Sequence, residues 1–146
     1  MRALMAAALM VSGMVSTTAC GLMGASTPER SPEVLAQPIG QAVMGQCAVD
    51  GAPHTIRHTI QVTQPTRLDI RADIAQGEKM SAEFLVKDPS GMFVRQIISD
   101  PKHSSYNIGS IPAERGTWTV MVVCRQGASA YTMHVNDDRA IATTLR

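Results

Sequence analysis

Aromatic side chains are scarce in this chain of 146 residues: Phe84, Phe93, Tyr106, Trp118 and Tyr131 are all it has. So few rings cannot line a large aromatic pocket, and no cofactor is expected. An excess of charge of one sign is also missing. Thirteen basic residues face twelve acidic ones, a net charge of +1, and without a leader carrying Arg2 the two balance. Nucleic acid is therefore not expected as a partner, because its phosphates require a basic surface. Uninterrupted stretches of helix length are missing too. Between His54 and Asn136, the breakers Pro65, Gly77, Pro89, Gly91, Pro101, Gly109, Pro112, Gly116 and Gly127 cut the chain into short pieces. Few pieces have room for a helix of about 11–12 residues, whereas strands of about 5–6 fit. There is no G-x-S-x-G elbow, H-E-x-x-H pair, phosphate-binding glycine loop or EF-hand spacing. No catalytic residue and no metal ligand is expected.

The N-terminus reads as an address. Met1-Arg2 supplies a cation, Ala3 to Val15 are apolar or small, and Ser16-Thr17-Thr18-Ala19 precede Cys20. The apolar run is too short to span about 30 Å of hydrocarbon, so it is a signal peptide rather than a transmembrane helix. Ala19-Cys20-Gly21 resembles the lipobox of bacterial lipoproteins, although Thr17 stands where that pattern usually has Leu. The resemblance implies lipidation of Cys20 after removal of residues 1–19. Ordinary cleavage after Ala19 or Ala25, giving a secreted protein, is the alternative. Residues 20–40 hold Ser26-Thr27-Pro28, Ser31-Pro32, Pro38 and Gly40, and are expected to form a flexible tether. A domain over 41–137 and a short tail over 138–146 complete the expected organisation.

Besides Cys20, the cysteines are Cys47 and Cys124. Exported proteins meet an oxidising compartment, and these two predict a disulfide enclosing most of the domain. A redox-active pair is the competing idea, but no C-x-x-C spacing is present.

Within the body, apolar residues recur at every second position. Ile56, His58, Ile60 and Val62 share one parity, with Thr55, Arg57, Thr59 and Gln61 on the other. Leu68, Ile70, Ala72 and Ile74 alternate with Arg67, Asp69, Arg71 and Asp73. The same pattern runs through Met80–Val86, Trp118–Cys124 and Tyr131–Val135. A helix would place apolar residues three and four apart. Adding the stretches Val43–Cys47, Met92–Ile98 and Ser104–Ile108 gives about eight strands, none containing proline. Asp88-Pro89-Ser90-Gly91 and Gln126-Gly127 supply turns. One-sided alternation in that many short strands predicts two antiparallel sheets packed face to face.

The order of these elements resembles the bacterial pre-peptidase C-terminal domain, a jelly-roll-like β-sandwich found beside secreted peptidases. The matching stretches are His58–Val62, Arg67–Ile70, Phe84–Gly91, Gly116–Val120 and Ala130–Val135, within residues 40–137. His58 replaces an aromatic common in the first of these, and Glu83 alone represents the acidic residues that often precede the central strand. The resemblance implies a fold more than an activity.

The remaining polar residues carry little chemistry at these spacings. His54 and His58 would be metal neighbours on a helix, but on a strand they stand roughly 13 Å apart. His58, between Ile56 and Ile60, is expected to be a hydrogen-bonded, partly buried histidine. Asp69 and Asp73 alternate with Arg67 and Arg71, which predicts a solvated, charge-paired face rather than a carboxylate dyad. His103, His134 and Ser104–Asn107 would suggest an enzyme only if a deep cleft gathered them. The expected function is a non-catalytic envelope lipoprotein that works by binding or assembly. Its partners would be the membrane, through the lipid, and an envelope protein or polysaccharide. The alternative is an accessory substrate- or glycan-binding module of a secreted hydrolase.

Overall fold

The computed structural model describes residues 31–49, 51–75 and 78–138. The expected signal peptide, Cys20 and residues 139–146 lie outside the described residues. Nine strands occur among the described residues: β1 (Glu33–Ala36), β2 (Ala42–Ala48), β3 (His54–Val62), β4 (Thr66–Ile74), β5 (Ser81–Lys87), β6 (Phe93–Ile98), β7 (Ser105–Ala113), β8 (Gly116–Gln126) and β9 (Ala128–Asp137). They form a five-stranded sheet in the order β1-β3-β8-β5-β6 and a four-stranded sheet in the order β2-β9-β4-β7. The period-two pattern is the cause. Ile56, Ile60, Phe84, Val86, Val120 and Val122 from the first sheet face Leu68, Ile70, Ala72, Met133 and Val135 from the second, all fully buried. Burying each large aliphatic or aromatic chain contributes roughly 1.5–3 kcal/mol. The fold is the expected all-β sandwich.

Turn chemistry closes the strands. Between β5 and β6, Gly91 N–H donates to Asp88 O at 2.9 Å, and Asp88 Oδ1 accepts from the N–H groups of Ser90 and Met92. Gly91 has φ 86° and Gly127, between β8 and β9, has φ 81°, conformations that disfavour any side chain.

Cys47 on β2 and Cys124 on β8 form the expected disulfide, with Cα atoms 5.7 Å apart. The two strands belong to different sheets, so the bridge pins the layers together through the core.

The fold differs from expectation in three details. There are nine strands among the described residues where about eight were expected. The additional one, β1, lies inside the stretch expected to be a flexible tether. It pairs with β3 in parallel, Glu33 opposite Ile56 through Ala36 opposite Thr59, whereas every other pairing is antiparallel. Four residues between two prolines carry no legible alternation. Gln37, the next residue, holds the strand instead: its side chain is buried and its backbone N–H donates to Thr59 O at 2.8 Å. Third, β7 runs past Ile108 to Ala113 and includes Pro112. Proline is tolerated there because β7 is the last strand of its sheet, where an outward position needs no ladder donor.

Candidate functional site

The four histidines, none of them expected to be catalytic, lie in separate environments. His58 is fully buried in a chain of hydrogen bonds that crosses from one sheet to the other. Its Nε2 lies 2.7 Å from the Tyr131 hydroxyl and its Nδ1 lies 3.2 Å from Gln37 Oε1. Gln37 Nε2 in turn donates to Gln41 O at 2.8 Å. Since Gln37 Oε1 can only accept, the neutral imidazole carries its proton on Nδ1 and accepts from Tyr131. Burial lowers the His58 pKa to about 4 and raises that of Tyr131, where the nearby Glu33 charge adds to the effect. The group is satisfied and closed to solvent, as expected of His58, and fully rather than partly buried. His54, four residues earlier, sits with Nε2 at 3.8 Å from Glu33 Oε2.

On the outer face of the four-stranded sheet, Asp73 is a hub. It accepts from Ser105 Oγ at 2.7 Å and Arg71 at 3.0 Å, and lies 3.1 Å from His134 Nε2. Partial burial pushes its pKa up, but the Ser105 hydrogen bond and the Arg71 and His134 charges outweigh that and hold it below the ordinary value. The charge-paired face expected here is present at Asp73 and Arg71. Ser105 and His134 both address the carboxylate rather than each other, so the imidazole is not placed to take the serine proton. His103 lies 3.6 Å from Asp100 on an exposed turn. His103 is exposed and His134 half-buried. Surface hollows beside Gln37 and Thr59, beside Pro89 and Trp118, and beside Lys79 and Pro101 are shallow and open. Among the described residues, no group of three or more His, Cys, Asp or Glu side chains is placed to hold a metal ion.

The departure from the sandwich's polar-outside rule is β6. Six large apolar side chains are exposed among the described residues, and four lie on this strand or immediately before it: Met92 at 66%, then Phe93 at 58%, Val94 at 43% and Ile98 at 68% on β6 itself. β6 ends the five-stranded sheet and has only β5 as a neighbour in it. Its register sets Ile98 opposite Glu83 and Gln96 opposite Leu85, on the outer face. Arg95 is opposite the buried Val86, on the side turned toward the second sheet, where its guanidinium passes over Gly109 of β7. Lys87 holds its ammonium 4.5 Å above the Phe93 ring, a cation–π contact. Behind this edge Glu83 is engaged by Arg125 and Gln96, and both interactions lower its pKa despite partial desolvation. In the sequence, Met92-Phe93-Val94 and Ile97-Ile98 place apolar residues on both parities, which a one-sided core strand does not.

No family model matches the chain, and no curated protein sequence matches it significantly. Solved structures do. The pre-peptidase C-terminal domain of a collagenase from Bacillus anthracis superposes with a TM-score of 0.57 at 18% identity, over 73% of this chain and 98% of that domain. A periplasmic inhibitor of g-type lysozyme from Aeromonas hydrophila matches at a TM-score of 0.44 and 15% identity, over 72% of this chain and 99% of the inhibitor. The first likeness shows a fold shared with the pre-peptidase C-terminal domain.

Proposed function

We propose that this chain is a non-catalytic binding or assembly module of the cell envelope, exported and anchored by lipid on Cys20, whose contact surface is the β5–β6 edge. The observation that carries the reading is the concentration of exposed apolar side chains on β6, on a scaffold that buries its other rings. Large apolar side chains left exposed together on one edge strand mark an interaction site. The buried disulfide fits an oxidising compartment. The fold is that of a domain of a collagenase, which supports a module rather than a complete enzyme. The Ser105–Asp73–His134 geometry supports a non-enzymatic role as well. Polysaccharide is the weaker ligand class, since sugars stack on rings and Phe93 is the exposed ring among the five aromatics. A protein partner fits better.

Two experiments test the two halves. A photo-crosslinking amino acid at position 93 in growing cells should yield a discrete adduct that the same residue at Arg67, on the opposite sheet, does not. Equal labelling from both positions would remove the assigned surface. Intact mass of the membrane fraction should show diacyl or triacyl modification of a chain beginning at Cys20. A soluble chain beginning elsewhere would remove the anchor.

A further inference from the structure

The exposed side chains of β6 say that something binds there; the backbone says in what form. Ser99, the residue after β6, donates its N–H to Ala82 O at 2.8 Å and its Oγ accepts from Ala82 N–H at 2.7 Å, so the two face each other as a hydrogen-bonded pair that continues the β5–β6 ladder. Such pairs alternate along an antiparallel ladder, so with Glu83 opposite Ile98, the residues turned toward β5 are Ile97 and Arg95. The N–H and C=O groups of Ile98 and Gln96 therefore point away from the sheet. A row of outward donors and acceptors is a template for one more strand.

Charge specifies what kind of strand. Lys87, Arg95 and Lys102 stand on or beside β6, and none has a carboxylate partner among the described residues. The acids of the same region are already engaged. Glu83 is held by Arg125 and Gln96, Asp88 by the Ser90 hydroxyl and two backbone amides, and Asp100 by the Lys102 amide. The edge thus offers open hydrogen-bonding backbone, apolar side chains on its outer face, and cations without carboxylate partners among the described residues, Arg95 among them on the inner side. A second copy of β6 would bring a second Arg95 to the same edge, which disfavours self-pairing.

We infer that the outer edge of β6 accepts an extended, acidic segment of a partner protein as a sixth strand, with apolar residues beside Phe93 and Ile98 and carboxylates beside Arg95. This mode, in which main-chain bonds give affinity and alternate side chains give specificity, is strand addition. It rests on the reading of β6 as the contact surface and goes beyond it by fixing the partner's conformation and charge.

The test uses the full chain with its disulfide formed and two fluorescein-labelled peptides, one alternating valine with glutamate and one alternating valine with lysine. The glutamate peptide should bind roughly tenfold or more tightly than the lysine peptide, and less tightly as salt is raised. Its binding should protect the amides of Gln96 and Ile98 from hydrogen exchange. Ile98→Pro removes an outward N–H without touching the β5 ladder and should abolish binding, while Ile98→Val should retain it. Arg95→Glu, an exposed change that keeps the fold testable if the proline variant fails to fold, should reverse the charge preference. Binding unaffected by Ile98→Pro and Arg95→Glu would overturn strand addition. Failure of both peptides to bind, with the position-93 crosslink intact, would overturn strand addition and leave the surface assignment standing. Loss of the crosslink as well would overturn both. A wild-type dimer that Ile98→Pro converts to monomer would overturn the partner assignment in favour of self-pairing.

Discussion

Tyr131 can cross the core to His58 only because position 45, opposite it on β2, is glycine: a Cβ there would stand 2.3 Å from both Cζ and the hydroxyl oxygen of Tyr131. Gly45→Ala should therefore destabilise the domain by about 1–3 kcal/mol, as overpacking does, measured as a lower urea midpoint. An unchanged midpoint would mean that the ring has room to move. His58 gives a separate expectation. Its folded pKa of about 4 lies below the ordinary 6.5, so the unfolded chain binds the proton more tightly. This contribution to stability is intact above pH 6.5 and is lost as pH falls toward 4, to a total of about 3 kcal/mol. Urea titrations across that window should show the loss in the wild type and a smaller one in His58→Gln; parallel curves would refute the assignment. That His58 is a satisfied core residue was legible from its parity between Ile56 and Ile60. Its partners were not, because Gln37, Gly45 and Tyr131 lie far apart in the chain, and pattern alone does not report which strands become neighbours.

Among the elements, the strands with clean alternation were legible, and the two edges of the five-stranded sheet were not. β1 contributes four paired residues and depends on the Gln37 side chain, which bonds both His58 and the Gln41 carbonyl. Gln37→Ala leaves His58 Nδ1 buried without an acceptor and should destabilise by about 1–3 kcal/mol. The amides of β1 should then exchange with solvent faster than those of β3; equal protection in both would show that β1 is held without that side chain. β6 was recognisable as a strand, but its exposure comes from sheet order, which places it at the end. Its role belongs to topology, and the sequence offered only the two-sided apolar pattern as a hint. Pro112 repeats the lesson on β7, since whether a proline fits a strand depends on whether that strand has a second neighbour.

For the molecule as a whole, two sheets share one core and one covalent link. The 77-residue separation between Cys47 and Cys124 is long, so in the chain-entropy picture the bond stabilises by about 4 kcal/mol. Reduction, or paired replacement by alanine, should lower the unfolding midpoint accordingly; a change under about 1 kcal/mol would mean that the reduced unfolded chain is already compact. The sandwich class and the cysteine pairing were both readable from local pattern and counting. The contact surface was not, because it is defined by what the fold leaves uncovered. The parallel strand β1 has one more consequence. Any load on the chain ahead of Glu33 reaches this strand first, and a pull along its axis strains all four paired positions together instead of peeling them in turn. Behind them the Gln37 amide is lodged in the core like a cleat, so tension arriving from the preceding chain would be spent at this one seam before it reached the body of the domain.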